Sequence, residues 1–147
     1  MCLSVRVLLN IQLLDMCQYP LRVFASDYDI LGPIIADVYE SFGRDRRFHS
    51  YWQPGSGITP VVRHDRFVYG AHSAPGKLLV IMLNDTDEER TNGIVIDPAV
   101  IPVPAADGRE VFSGKKFRLK NNKLELRLPP RESRFILFEA APDGKRN

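Results

Sequence analysis

The stretch from residue 117 to residue 128 constrains the fold most, because it predicts a tight β-hairpin with one register. The dipeptide Asn121-Asn122 lies at its centre, and asparagine tolerates the positive φ that a two-residue hairpin turn requires. After this turn, apolar and charged residues alternate, which is typical of a strand with one buried face. A slip by one residue would expose every apolar side chain, so the pattern selects one register. The apolar positions on its second strand are Leu124, Leu126 and Leu128.

The second part of the chain contains further strand patterns. Arg66–His72, Gly93–Ile96 and Arg134–Glu139 are predicted as strands, and Ser73–Gly76 as a turn. Leu78–Leu83 is apolar at every position, which predicts a central strand covered on both faces. About seven short strands in about 80 residues predict a mainly β fold, an antiparallel β-sandwich.

A short α-helical segment is predicted before the sandwich. Residues 34–42 place apolar side chains on one helical stripe. Pro33 suits the first turn of this helix, and Gly43 suits the position just after its end. Leu21–Ala25 is a candidate short strand upstream of the helix.

These elements predict three regions. Residues 1–59 form an N-terminal segment with one amphipathic helix, the remnant of a barrel end. Residues 60–141 form the β-sandwich domain, and residues 142–147 a disordered tail. The length of 147 residues argues against a complete catalytic barrel, which takes about 250 residues.

Charge indicates no nucleic-acid partner. Twenty Lys and Arg against 18 Asp and Glu give a net charge of +2, which is too balanced for a typical nucleic-acid binder. Basic side chains are concentrated in residues 115–127, but only Phe117 interleaves them, so there is no stacking platform for single strands. We interpret this basic stretch as a solvated strand face.

The N-terminal region gives no membrane span and no metal site. The apolar run Val5–Leu14 is too short to cross a bilayer. It has neither the basic start nor the cleavage site of a convincing signal peptide, so export of the parent protein stays open. The two cysteines, Cys2 and Cys17, cannot form a zinc site alone. Metal-ligand spacing is also missing from His49, His64 and His72, and we expect no metal and no cofactor.

Asp27 and Asp29 are the best acidic candidates for catalysis. They follow the apolar segment Leu21–Ala25, and barrel enzymes place catalytic groups just after their strands. Glycoside hydrolysis needs two carboxyl groups, one as acid and one as nucleophile or base. Because aspartate also begins turns and caps helices, the structural interpretation of this pair is the stronger one.

Tyr51 and Trp52 are the candidate glycan-binding residues. They stand next to the glycine-containing segment Gln53–Gly57, and exposed aromatic rings can stack on the apolar faces of sugars. The alternative is that Trp52, the only tryptophan, packs between the helix and the sandwich.

Several of these segments together resemble the C-terminal region of bacterial glycoside-hydrolase-like proteins. Val38–Gly43 resembles the last helix of the family's barrel, and Phe48–Trp52 the aromatic element that follows it. Val68-Tyr69 and the run "LVIMLND" at 79–85 are similar to strands of the family's C-terminal sandwich. "LPPR" at 128–131 is similar to the approach to its final strand.

The resemblance covers residues 30–140 and implies a particular architecture. The chain would be the end of a catalytic barrel together with its β-sandwich, and possible carbohydrate binding would come with it. The barrel's catalytic face has no counterpart here, so the resemblance assigns no catalytic residue.

Three hypotheses follow. The first is a non-catalytic β-sandwich module that packs on a barrel and assists glycan binding; its apolar face would then promote self-association of the isolated chain. The second is an independent carbohydrate-binding or adhesion module. The third is a small glycosidase that uses Asp27 and Asp29. We expect no enclosed pocket in so short a fragment of a barrel, which argues against this third hypothesis. Whether the chain is part of a longer reading frame stays open.

Overall fold

Antiparallel strands dominate the fold. The computed structural model describes residues 37–142, except residue 39. The strands of this part are β1 (Arg47–Ser50), β2 (Ile58–Pro60), β3 (Phe67–Ala74), β4 (Lys77–Asn84), β5 (Arg90–Ile96), β6 (Asp107–Glu110), β7 (Lys116–Arg118), β8 (Lys123–Leu128) and β9 (Ser133–Glu139). The prediction of a mainly β, antiparallel fold is therefore confirmed.

The strands form two sheets. The larger sheet has the order β1-β3-β4-β9-β6-β7, and the smaller has the order β2-β5-β8. Every neighbouring pair is antiparallel. Strand β9, the last along the chain, lies inside the larger sheet between β4 and β6.

The apolar run at 78–83 forms the centre of the larger sheet, as predicted. Strand β4 pairs with β3 on one side and β9 on the other. Because side chains alternate between the faces of a strand, Val80 and Met82 point into one hydrophobic cluster, and Leu79 and Ile81 into another. All four are buried. A strand that is buried on both faces needs an apolar residue at every position.

The first cluster fills the space between the two sheets. Its members from the larger sheet include Leu78, Ile136 and Phe138, and those from the smaller sheet include Ile94 and the three leucines of β8. Burial of these side chains stabilises the folded chain by about 25 cal/mol per Å² of apolar surface removed from water. The two sheets therefore share one hydrophobic core.

The second cluster covers the opposite face of the larger sheet, which we call the outer face. Here Phe42 is 3% exposed and packs with Ile81, Phe135 and Leu137. Residues 37, 38, 40 and 41 are helical, and Gly43, with φ 67°, follows the helix as predicted. The rest of the predicted helix, the candidate strand Leu21–Ala25 and residues 143–147 lie outside the described residues. Self-association of the isolated chain stays a prediction.

The tight turn at Asn121-Asn122 is confirmed, but the long hairpin is wrong. The two asparagines have φ angles of 51° and 60°, and the turn is closed by the Lys120–Lys123 bridge. Beyond this bridge the strands separate, because β7 pairs with β6 and β8 pairs with β5. Leu119 and Leu124 both contribute to the core between the sheets. The burial of these leucines in the core shared by the two sheets therefore outweighs the continued pairing of β7 with β8 in one hairpin.

Other strand predictions need correction at their ends. Strand β3 continues through Ser73, so the predicted turn shrinks to Pro75-Gly76. Strands β1, β2 and β6 arise in segments that were not predicted as strands, and the first two precede residue 61. Their residues complete ladders set by neighbouring strands. The division into residues 1–59, 60–141 and 142–147 stays a prediction.

Candidate functional site

Tyr51 and Trp52 lie at the end of β1, on a short loop that leads into β2. Gly55 and Gly57 have φ angles of 71° and 89°, which allow the loop to turn back sharply. A side chain at Gly57 would collide with Val100, 2.8 Å away. Glycine at this position therefore lets the loop pack against the segment after β5.

The two aromatic side chains are held together but remain accessible. Tyr51 is 43% exposed and Trp52 is 51% exposed. Their ring centroids are 5.0 Å apart and nearly perpendicular, and Tyr51 also contacts the ring of Tyr69 at 5.7 Å. Edge-to-face contacts of this kind fix ring orientation. Trp52 is thus supported at one edge by Tyr51 and Phe48 and is not enclosed.

These rings form one wall of a cleft of about 490 Å³, which we call the aromatic groove. Burial raises the pKa of Tyr69, which also lines the groove, so that this phenol stays neutral and can donate or accept a hydrogen bond. The side chains that line the groove are Tyr51, Trp52, Gln53, Pro54, Ser56, Ile58, Thr59, Tyr69, Val95, Asp97 and Val100. A mixture of aromatic and apolar walls with a few polar groups is typical of a ligand site.

His49 fastens the loop of the aromatic groove to the larger sheet. Its Nδ1 lies 2.9 Å from the carbonyl oxygen of Ser56, and its Nε2 lies 2.7 Å from the hydroxyl of Ser73. Since a carbonyl only accepts, Nδ1 carries the hydrogen and Nε2 accepts from Ser73. Burial of the ring lowers the pKa of His49, and the charge of Arg47 lowers it further. The neutral ring therefore bridges sheet and loop.

The segments at 79–85 and 128–131, which carry part of the resemblance, meet at one end of the molecule. The amide of Asn84 donates to the carbonyl oxygens of Leu128 (2.9 Å) and Pro129 (3.1 Å). Hydrogen bonding to Asp87 and the nearby carboxylate of Asp85 raise the pKa of Arg131. This polar junction joins the larger sheet to the smaller one, which gives it a structural role.

The basic stretch at 115–127 is a solvated strand face, as predicted. The burial of β8 alternates strictly between exposed and buried positions, and the charged residues are the exposed ones. Arg118 pairs with Asp107 and Lys123 with Glu125. Arg127 pairs with Glu89.

The structure does not test the other predicted sites. Asp27, Asp29, Cys2 and Cys17 lie outside the described residues, so the glycosidase hypothesis stays a prediction. Over residues 37–142 without 39, no three His, Cys, Asp or Glu residues come together as a metal site. The same part of the chain has no helix long and apolar enough to cross a membrane.

No family model matches the chain, and no curated protein sequence matches it either. Among solved structures, it is similar to AmyP in complex with maltose (20% identity, 58% of this chain and 17% of that chain, TM-score 0.43). It is also similar to a GH27 β-L-arabinopyranosidase from Geobacillus stearothermophilus (18%, 62% and 20%, TM-score 0.44). A third is a putative α-N-acetylgalactosaminidase from Bacillus halodurans (18%, 57% and 21%, TM-score 0.44).

These similar structures thus include glycoside hydrolases, and the chain spans about a fifth of the length of each. TM-scores below 0.5 do not establish a common fold.

Proposed function

We propose that this chain is a non-catalytic β-sandwich module of a glycoside-hydrolase-like protein, and that its aromatic groove binds carbohydrate. The observation that carries the proposal is the exposure of Tyr51 and Trp52 in a cleft that polar side chains also line. A pyranose ring has an apolar face and a rim of hydroxyl groups. The groove offers the matching pair of surfaces.

The ring arrangement supports stacking of a sugar. The ring of Trp52 contacts the rings of Tyr51 and Phe48, and half of the residue's surface remains exposed and can contact a sugar. Thr59 and Asp97 also line the groove. Side chains of these types donate to and accept from sugar hydroxyl groups.

The outer face supports the module's attachment to a larger protein. An independent sandwich needs only the core between its sheets, and its outer faces are typically polar. Here Leu79, Ile81 and Leu137 form a second apolar layer on the far side of the larger sheet. In the proposed architecture, the part of the protein that precedes the sandwich packs against this layer, in the way that Phe42 packs against it.

Binding to neutral polysaccharides tests the proposal. In affinity electrophoresis through gels with starch, galactan, arabinan or cellulose derivatives, the wild-type chain should be retarded by at least one of them. Trp52→Ala should weaken this binding about tenfold or more. The stacking of a ligand ring on an aromatic side chain contributes about 1–3 kcal/mol in the comparable case of nucleobases. The melting temperature of Trp52→Ala should stay close to that of the wild type.

Val62→Ala is the matched control. Val62 is 55% exposed, another large exposed apolar side chain, but it does not line the aromatic groove. The control should bind like the wild type. If Trp52→Ala proves unstable, Val95→Lys changes a second residue that lines the groove, at an exposed position. Unchanged binding in a folded groove variant would contradict the proposal, and so would a wild-type chain that binds no polysaccharide, neutral or charged.

A further inference from the structure

A second cleft lies beside the aromatic groove, and Val100 lines both. It has a volume of about 570 Å³, and we call it the arginine cleft. Its walls are formed by the segment before β1, the β3–β4 turn and the prolines after β5. The side chains relevant to binding are Arg44, Asp45, Arg46, Arg47, Pro102 and Pro104.

The charge of the arginine cleft is strongly positive for its size. Three guanidinium groups and one carboxylate occur within residues 44–47, a local charge of +2. Elsewhere in the described part of the chain, six arginines form ion pairs with carboxylates: Arg66, Arg90, Arg118, Arg127, Arg131 and Arg134. No such ion pair involves Arg44 or Arg47 within residues 37–142. Both side chains are exposed, so an external anion can reach them.

The arginine cleft and the aromatic groove are aligned along β1. Arg47 and His49 are two residues apart on β1, and side chains at this spacing project to the same side of a strand. With a rise of about 3.3 Å per residue, β1 separates the Cα atoms of Arg47 and Ser50 by about 10 Å, and Tyr51 follows directly in the turn after the strand. A polysaccharide chain of a few sugar units spans this distance. The same glycan can therefore stack on Trp52 and place a charged substituent at Arg47.

The balance of charges differs between the two ends of this path, because one carboxylate accompanies three guanidinium groups in the arginine cleft and no basic side chain of the described residues lines the aromatic groove. Asp97 lines the aromatic groove, and its carboxylate accepts a hydrogen bond from the backbone of Ala99. Repulsion by Asp97 disfavours an anion at that end of the path. The guanidinium fork of arginine binds carboxylate and other oxyanions in a bidentate manner, which favours an anion at the other end.

We propose, on the basis of the function proposed above, that the glycan is an anionic polysaccharide. Its neutral sugar faces stack on Tyr51 and Trp52, and its carboxylate or sulfate group binds Arg44 and Arg47. Neutral polysaccharides with the same backbone make only the stacking contacts. The arginine cleft thus selects the charge of the ligand, and the aromatic groove binds the ring.

The test compares polygalacturonate with its fully methyl-esterified form, which has the same backbone without the charge. At low salt, the full chain should bind polygalacturonate about tenfold more tightly, and added salt should reduce this advantage. Arg44→Gln/Arg47→Gln should lower the affinity for polygalacturonate to that for the ester and leave the ester affinity unchanged. Dextran sulfate against dextran repeats the comparison for a sulfate group and identifies which anion is preferred.

Arg118→Gln/Arg127→Gln is the control for charge, because it also removes two positive charges, but at exposed strand positions outside both clefts. Equal losses in the two double variants would overturn the inference, because they would indicate non-specific attraction. Equal wild-type affinity for the charged and esterified forms would also overturn it, while the proposed function stands. Absence of binding to every polysaccharide, charged or neutral, would instead overturn the proposed function.

Discussion

The two sheets differ in how many of their faces are buried. In the larger sheet, seven of the eight residues of β4 are buried and one is intermediate, and β9 is similarly covered over its centre. In the smaller sheet, β8 alternates between exposed and buried positions along its whole length. Within the described part of the chain, both sheets contribute to the first cluster, and the second apolar cluster lies on the larger sheet alone. The larger sheet is therefore buried on both of its faces there, and the smaller sheet on one.

The sharpest test of this difference is a charge on each sheet. Ile81 is fully buried on the outer face of β4, so Ile81→Asp should cost more than about 5 kcal/mol and prevent folding. Thr91→Asp on the exposed side of β5 should change stability by less than about 0.5 kcal/mol. Far-UV circular dichroism and urea unfolding measure both. A folded Ile81→Asp variant of normal stability would show that the outer face is not a second core.

Strand spacing provides the next test. An added Cβ at Gly93 would lie 1.8 Å from the carbonyl oxygen of Leu124, in the neighbouring backbone. At Gly108, in the larger sheet, it would lie 2.6 Å from the ring of Phe138. Gly93→Ala should lower the free energy of unfolding by about 3 kcal/mol or more, and Gly108→Ala by about 1–3 kcal/mol. The aromatic ring of Phe138 can shift more readily than the hydrogen-bonded backbone of the strand next to Gly93. The reverse order in thermal unfolding would contradict this account.

The junction between the sheets should be sensitive to a smaller degree. Asn84 is 2% exposed, and its amide donates to Glu88, Leu128 and Pro129. Asn84→Ala should lower the free energy of unfolding by about 1–3 kcal/mol, because these carbonyl groups lose their donor. Asn84→Asp should be worse at neutral pH, since a carboxylate then faces carbonyl oxygens, and should recover partly in acid. Equal stability of both variants at all pH values would contradict the assignment.

The loop of the aromatic groove should give the smallest effect, and it depends on pH. His49 has a lowered pKa in the folded chain, so the unfolded chain takes up a proton first as the pH falls below its ordinary value of 6.5. Stability should therefore decrease with acidification, by at most about 1.4 kcal/mol per pH unit for one proton. His49→Gln should remove this part of the slope. Parallel pH profiles for the two proteins would contradict the role of His49.

The central strands could be predicted from sequence because their environment is written into local composition. Leu78–Leu83 is apolar at every position, and the three leucines of β8 recur at every second residue. The turn at Asn121-Asn122 was also predictable, since its positive φ angles select the residue type. What local periodicity could not provide was the departure of β7 and β8 into different sheets. That choice depends on a core formed by residues far apart in the chain.

The short strands and the clefts depend even more on distant contacts. Strands β1 and β6 have mixed sequences, RFHS and DGRE, and become strands through the ladders of β3 and β9. Tyr51 and Trp52 were recognisable as a pair, but their exposure follows from the folded loop. His49 and Ser73 are 24 residues apart, and no spacing rule joins them. The arginine cleft likewise combines residues 44–47 with prolines more than 50 positions later.

The position of β9 has a consequence for biosynthesis. Strand β9 is inserted between β4 and β6, although β4 leaves the ribosome about 50 residues earlier. At about 5–20 residues per second, β4 waits several seconds with an unpaired edge. An exposed apolar edge can pair with other chains, so this edge of β4 is open to such pairing until β9 is synthesised. Loss of residues 133–139 would leave the larger sheet divided, whereas a tag placed after residue 142 would not interrupt it.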